Sequence, residues 1–299
     1  MSQLGLIIKN EYLTDVKAKS FWIGTIVVPI MFIGFGLLIG FMAADSESMQ
    51  KIANPTAPDP DEMSGLQVFG MLSGIMLAMF LMIYGSMIFN KVKKEKTNRI
   101  IEVLATSVTG RTMMLAKIIS VGLIGLTQML VWAAMIGVGI MVVISIFQPD
   151  IPWGDLARPD VLLGVVWALL FFIGGYVFYG AIYAACGAMT DKDNENQGYM
   201  TLITFMLLGS FYIGQFAANH PDNAFVLFCS FFPFTSPTIG AVNAISGGVS
   251  LWVTILSLVL LYVFACLSIS FAGKIYTSSL LLKGKKFTPQ DILTFLRSK

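Results

Sequence analysis

Residues 223–249, NAFVLFCSFFPFTSPTIGAVNAISGGV, decide the fold. They carry no Asp, Glu, Lys or Arg, so by composition they belong in a bilayer. They do not read as a crossing helix. The apolar run 224–232 would span about 13 Å as helix, against a hydrocarbon core of roughly 30 Å. Pro233 and Pro237 then interrupt it, and Gly247 and Gly248 close the stretch. The pattern predicts broken half-helices that dip into one leaflet and return to the same side. Non-helical backbone at that depth must be buried in protein or face water.

Six uncharged segments around this stretch are long enough to cross: 21–43, 66–90, 118–147, 161–189, 198–217 and 250–273. The third and fourth exceed the core thickness and are expected to tilt or project beyond it. Seventeen of the 19 Lys and Arg then fall in the segments 1–20, 91–117, 190–197 and 274–299, leaving only Lys51 and Arg158 on the other side. The excess of cations on the cytoplasmic side places both termini inside. A seventh crossing through 223–249 would move the six cations of the C-terminal tail outside. The expected fold is therefore all-α, a polytopic cell-membrane protein (inner or plasma membrane) with six transmembrane helices, a re-entrant segment before the last, and cytoplasmic termini. The whole chain, 1–299, reads as one transmembrane domain.

Composition across the 299 residues agrees. Hydrophobic residues make up 56% and charged residues 12%, half of what a soluble domain uses to cover its surface. Net charge is +2, too small to suggest nucleic-acid binding. Cys186, Cys229 and Cys266 lie far apart in apolar runs, and neither a disulfide framework nor a metal site is supported. The only histidine, His220, sits beside Pro221 and reads as a surface loop residue. The first apolar run is too long for a cleavable signal and reads as a signal anchor. GxxxG spacing at Gly36–Gly40 and Gly70–Gly74 permits close helix approach.

Outside the spans, residues 1–19 form an amphipathic pattern, with Leu4, Ile8, Tyr12 and Val16 at i+4 and Ile7 and Leu13 beside them. Such a helix lies in the membrane interface and touches lipid. The segment 91–117, KVKKEKTNRIIEVLATSVTGRTMMLAK, starts basic and then shows the stripe Ile100, Ile101, Leu104, Val108 bordered by Arg99 and Glu102. Glu95 and Glu102 among cations point to a docking surface for a cytosolic partner rather than a purely lipid-bound helix. Thr109-Gly110 is expected to break the helix before Arg111. The tail carries a helix start at Thr288, Pro289 and Asp291, with Phe287 and Ile292 placed for a hydrophobic staple. Residues 44–65 form an acidic, proline-rich outer loop.

Several chemistries lack their residues. The spans hold no histidine and no paired acids, so neither a serine–histidine nor an aspartyl intramembrane protease is supported. No Walker phosphate loop occurs. Proton-coupled carriers keep ionisable groups at membrane depth, and the spans have none. A protein shaped for transport without its own means of coupling suggests a motor on another subunit.

Five blocks, in order along the chain, carry a family resemblance: NEYLTDVKAKSFW (10–22), EKTNRIIEVLATSVTGRTMMLAK (95–117), AIYAACGAMTDKDNENQ (181–197), FFPFTSP (231–237) and KIYTSSLLLKGKKFTPQDILTFL (274–296). They resemble the permease subunits of type-2 ABC exporters, in the branch of NatB-like sodium-efflux permeases. Two departures stand out. The family's large outer domain between the first two spans is here only about 22 residues, and Asn243 stands near a place that often carries an arginine. The resemblance implies two permeases, identical or mixed, and a cytosolic ABC ATPase dimer that binds Mg-ATP. It implies no cofactor and no enzymatic activity in this chain. Glu95, Arg99, Ile100, Glu102 and Leu104 would fall in the coupling helix, and Pro233, Phe234, Thr235, Ser236 and Pro237 in the outer broken-helix motif. The readings that compete are a self-sufficient channel or secondary carrier, and a membrane anchor that transports nothing.

Overall fold

The computed structural model describes residues 3–44, 65–97, 109–147, 159–190, 193–247 and 249–281. Arg99, Ile100, Glu102 and Leu104, the acidic outer loop and the tail helix expected from Thr288 lie outside the described residues. Among the described residues the fold is entirely helical. The helices are α1 (Gln3–Val16), α2 (Lys19–Ala44), α3 (Gly65–Thr97), α4 (Gly110–Phe147), α5 (Pro159–Met189), α6 (Asp193–Asn219), α7 (Ala224–Phe231), α8 (Ser236–Ser246) and α9 (Leu251–Leu281).

Five of these are long and apolar enough to cross a membrane: Ser73–Lys96, Gly110–Gly139, Leu162–Met189, Gly198–Asn219 and Leu251–Ser279. α2 contributes a shorter apolar helix, Lys19–Met31, within its 26 residues. The long helices run past the uncharged segments. α3 continues from Asn90 through six further residues to Lys96 and then Thr97, and α4 begins at Gly110, well before residue 118. Helix persists here because the backbone keeps its internal hydrogen bonds while Lys91, Glu95, Lys96 and Lys117 find partners on neighbouring helices. Thr109 starts α4: its hydroxyl meets that of Thr112 at 2.8 Å and accepts from the Thr112 amide at 3.4 Å.

The core lies where α3, α5, α6, α8 and α9 pack together, and α4 carries α1 and α2 on its flank. Its largest fully buried side chains are aromatic, Tyr179, Tyr183, Tyr276, Phe89 and Phe171. Aliphatic side chains such as Leu130, Val138 and Leu202 face outward and are exposed. An apolar outer surface is expected of a bundle solvated by lipid rather than water.

Candidate functional site: a buried ionic node and a broken helix

Two polar assemblies interrupt the apolar bundle, one at the C-terminal end of α3 and one level with its middle.

The first begins with spacing. Glu11 and Asp15 are four apart on α1, and Lys91 and Glu95 four apart on α3, so each pair shares a helix face. Tyr12 and Val16 pack on the core and roll α1 so that its acids turn inward. There they meet Lys117, seven residues into α4 and only 2% exposed. Lys117 Nζ pairs with Glu11 at 2.8 Å and makes a short ion pair with Glu95. Lys91 pairs with Glu11 at 3.3 Å and closely with Asp15. The Ser120 hydroxyl donates to Glu11 at 3.0 Å, and the Tyr276 hydroxyl of α9 donates to Glu95 at 3.1 Å.

Three carboxylates thus surround two ammonium groups, with two hydroxyls supplying the missing donors. That arrangement is what an ion cluster withdrawn from water requires, since each unsatisfied charge there is costly. Burial by itself would raise the Glu11 pKa. The Lys117 ammonium, then Lys91 and the Ser120 hydroxyl, outweigh it, and the net displacement is downward from 4.5. Nearby, Lys96 donates to the Ala188 carbonyl at 2.8 Å, placing a cation on the C-terminal turn of α5.

The node joins α1, α3, α4 and α9. It also joins the two ends of the segment 98–108, because Glu95 precedes that segment and Lys117 follows it. Of the residues expected to couple to a partner, Glu95 is thus held inside this network, half-buried on α3. Glu11, Lys91, Lys117, Ser120 and Tyr276 were not singled out from the sequence. The i,i+4 pairs were visible there, but their convergence depends on α1 folding back onto α4.

The second assembly is the break between α7 and α8. Asn223 caps α7 by accepting from the Phe225 amide at 2.9 Å. α7 ends at Phe231, one turn-residue before Pro233, and Phe232 is extended as a residue preceding proline prefers. Pro237 sits in the first turn of α8, where a missing N–H costs nothing. Gly247, at φ 70°, ends α8 in a left-handed conformation.

The break is wired by neutral groups. Thr235 donates its hydroxyl to the Cys229 and Phe232 carbonyls, closing the end of α7 rather than capping α8. The Phe234 carbonyl accepts from Tyr179 of α5 and from Ser210 of α6 at 3.1 Å. Ser257 of α9 donates to the Ser230 carbonyl and meets Ser236 at 3.0 Å. Asn243 donates to Ser230 at 3.1 Å, while its own carbonyl oxygen is buried with no partner among the described residues.

Depth follows from the neighbours. A Cβ at Gly175 would lie 2.6 Å from Pro237 Cβ and 3.7 Å from Leu81, so the break sits level with the middle of α3 and α5. From there α8 runs back along α3, past Gly74 and Gly70. A Cβ at those positions would reach Val242 at 2.7 Å and Ser246 Oγ at 2.6 Å. The second GxxxG pair therefore makes room for a half-helix. Pro233, Ser236 and Pro237 are buried, Phe234 and Thr235 partly so. Pro233 falls between α7 and α8 and Pro237 in the first turn of α8, and the donors on α5, α6 and α9 were illegible in the sequence.

Residues 43–274 match the family described as "ABC-2 family transporter protein". The chain is 29% identical over 225 residues to "Uncharacterized protein YhaP" of Bacillus subtilis (strain 168), covering 72% of this chain and 51% of that protein. It is 21% identical over 213 residues to "Uncharacterized protein MJ1024" of Methanocaldococcus jannaschii, covering 71% of this chain and 49% of that protein. The chain thus spans about half the length of these curated relatives. No solved structure gives a significant match.

Proposed function

This chain belongs to the ABC-2 family of transporter membrane proteins, a membrane-embedded, multi-pass permease, and from that membership we propose that it is the permease subunit of an ATP-driven exporter. Two copies, identical or mixed, pair with a cytosolic ABC ATPase dimer that binds and hydrolyses Mg-ATP. Six spans cross the cell membrane with both termini and the segment 91–117 in the cytoplasm, and the α7–α8 break faces the outer leaflet. The 17:2 distribution of cations supports that orientation. The blocks 95–117 and 231–237 support placement in the NatB-like branch, with sodium, drugs, peptides and lipids as the substrate classes to test.

The observation that carries the reading is the Glu95–Lys117 ion pair at the base of 98–108. A partner pressing on that segment pulls one node, and the node reaches four helices at once. Arg99, Ile100, Glu102 and Leu104 form the contact with the ATPase, Glu95 the root of that contact. Breaking a charged contact at such an interface costs roughly 2–5 kcal/mol, enough to separate subunits without unfolding the spans.

The test is ATP turnover of the purified complex beside pull-down of the ATPase. Glu102→Lys is expected to insert normally and to lose permease-stimulated turnover, while Glu62→Lys keeps it. Substrate flux in liposomes holding this chain alone would overturn the reading in favour of a self-sufficient carrier.

A further inference from the structure

α2 contains a third interruption, and its repair comes from another helix. Pro29 has no N–H to give to the carbonyl four residues back, so the Thr25 carbonyl loses its helical donor. Thr25 and Pro29 are both buried. The Trp132 indole N–H of α4 donates to the Thr25 carbonyl at 2.9 Å. Thr25 also turns its hydroxyl onto the Phe21 carbonyl at 2.7 Å, a back-bond that favours bending.

The contacts on either side differ in kind. Toward the charged end, α1 continues into α2 through a tight turn, with the Ala18 amide on the Asp15 carbonyl and the Phe21 amide on the Ala18 carbonyl. α1 is itself fixed to α4 by Glu11–Lys117 and by the Tyr12–Thr127 hydroxyl pair at 2.8 Å. Beyond Pro29 the contact is apolar: a Cβ at Gly139 would fall 2.7 Å from Ile33 Cγ1. On the opposite side of α2, Ile23, Val27, Ile30 and Met31 are exposed.

We propose that Trp132 is a positioning residue that fixes Thr25–Pro29 as a pivot in α2. It divides the helix into a half bound to the ionic node and a half that moves separately against α4. The pivot needs Trp132 because a buried carbonyl away from water is costly without a donor, and the local backbone then bends toward any geometry that supplies one. Loss of the indole N–H therefore frees the bend angle. Restoring an N–H at residue 29 makes the indole unnecessary. This holds whether or not the chain exports a substrate, so its failure and that of the permease reading are separate results.

Spin labels at Met31 and Met141, both exposed, in a full-length chain with Cys186, Cys229 and Cys266 replaced, report the angle as a distance distribution. Trp132→Phe, which keeps an aromatic ring, is expected to broaden that distribution. Pro29→Ala/Trp132→Phe is expected to match Pro29→Ala alone. An unchanged distribution in Trp132→Phe overturns the proposal. So does equal broadening in both backgrounds, which would make the indole a packing element only. If Trp132→Phe alone does not insert, the double variant decides: its insertion with a narrow distribution supports the pivot, and its failure refutes it.

Discussion

The ionic node and the α7–α8 break both bury polar groups inside an apolar bundle, with opposite chemistry. The node uses full charges: Glu11, Asp15 and Glu95 against Lys91 and Lys117. The break uses hydroxyls, backbone carbonyls and one amide, with no ionisable acid or base among Ser210, Ser230, Thr235, Ser236, Asn243 and Ser257. Position explains the contrast. The node lies on charged helix ends, and four of its five ionic side chains keep between 17% and 28% exposure. The break sits level with the middle of α3 and α5, where a charge is far more costly than a hydroxyl. The charges tie three helices, α1, α3 and α4, and the Tyr276 hydroxyl adds α9. The neutral bonds satisfy the irregular backbone without placing a charge at that depth.

The largest way to break this comparison is Lys117→Met. It leaves Glu11 and Glu95 facing each other without their shared cation, and removal of one partner from a buried cluster costs about 3–5 kcal/mol. The detergent-solubilised protein is expected to melt at markedly lower temperature or to fail to accumulate. Lys117→Met/Glu11→Gln/Glu95→Gln is expected to recover much of that loss. Equal melting of wild type and the single variant would mean that the charges bear no load.

At the break, Ser257→Ala removes the donor to the Ser230 carbonyl and the partner of Ser236. An unmade bond at a buried carbonyl costs about 1–3 kcal/mol, so the melting shift should be clear but smaller than that of Lys117→Met. A larger shift would reverse the ranking of the two regions.

Acid sharpens the contrast further. The Glu11 carboxyl is held below its usual 4.5 in the folded chain, so unfolding makes it easier to protonate. Its contribution is complete above that value and is lost as the pH falls through the lower, folded one. Melting temperature followed downward from neutral pH should decline more steeply in wild type than in Glu11→Gln. Ser257→Ala, which carries no titratable group, should follow the wild-type slope.

The smallest expected effect is Asn243→Leu. The Asn243 carbonyl oxygen already lacks a partner among the described residues, and the Ser230 hydroxyl retains the Val226 carbonyl at 2.9 Å as acceptor. The substitution removes one donor to Ser230 together with the unpaired carbonyl oxygen, and the two changes largely offset. A large loss of melting temperature would mean that Asn243 makes a bond absent from this arrangement.

Much of this architecture was written locally. Absence of charge over segments long enough to cross a bilayer marks the helices, because the cost of a charge in lipid acts residue by residue. Pro233 and Pro237 mark the break, because a proline removes a donor wherever it sits. Residues 231–237 could therefore be singled out by reading alone. Tertiary structure decided the rest: that Glu11 meets Lys117 across 106 positions, and that Ser257 reaches back to Ser230. It also turned Glu95 toward Lys117 and Tyr276, and supplied the Trp132 indole to the carbonyl that Pro29 left open. Nothing in a neighbouring residue specifies such partners. They follow from which helix faces pack together, and that depends on the fit of glycines, aromatics and isoleucines over the whole bundle at once.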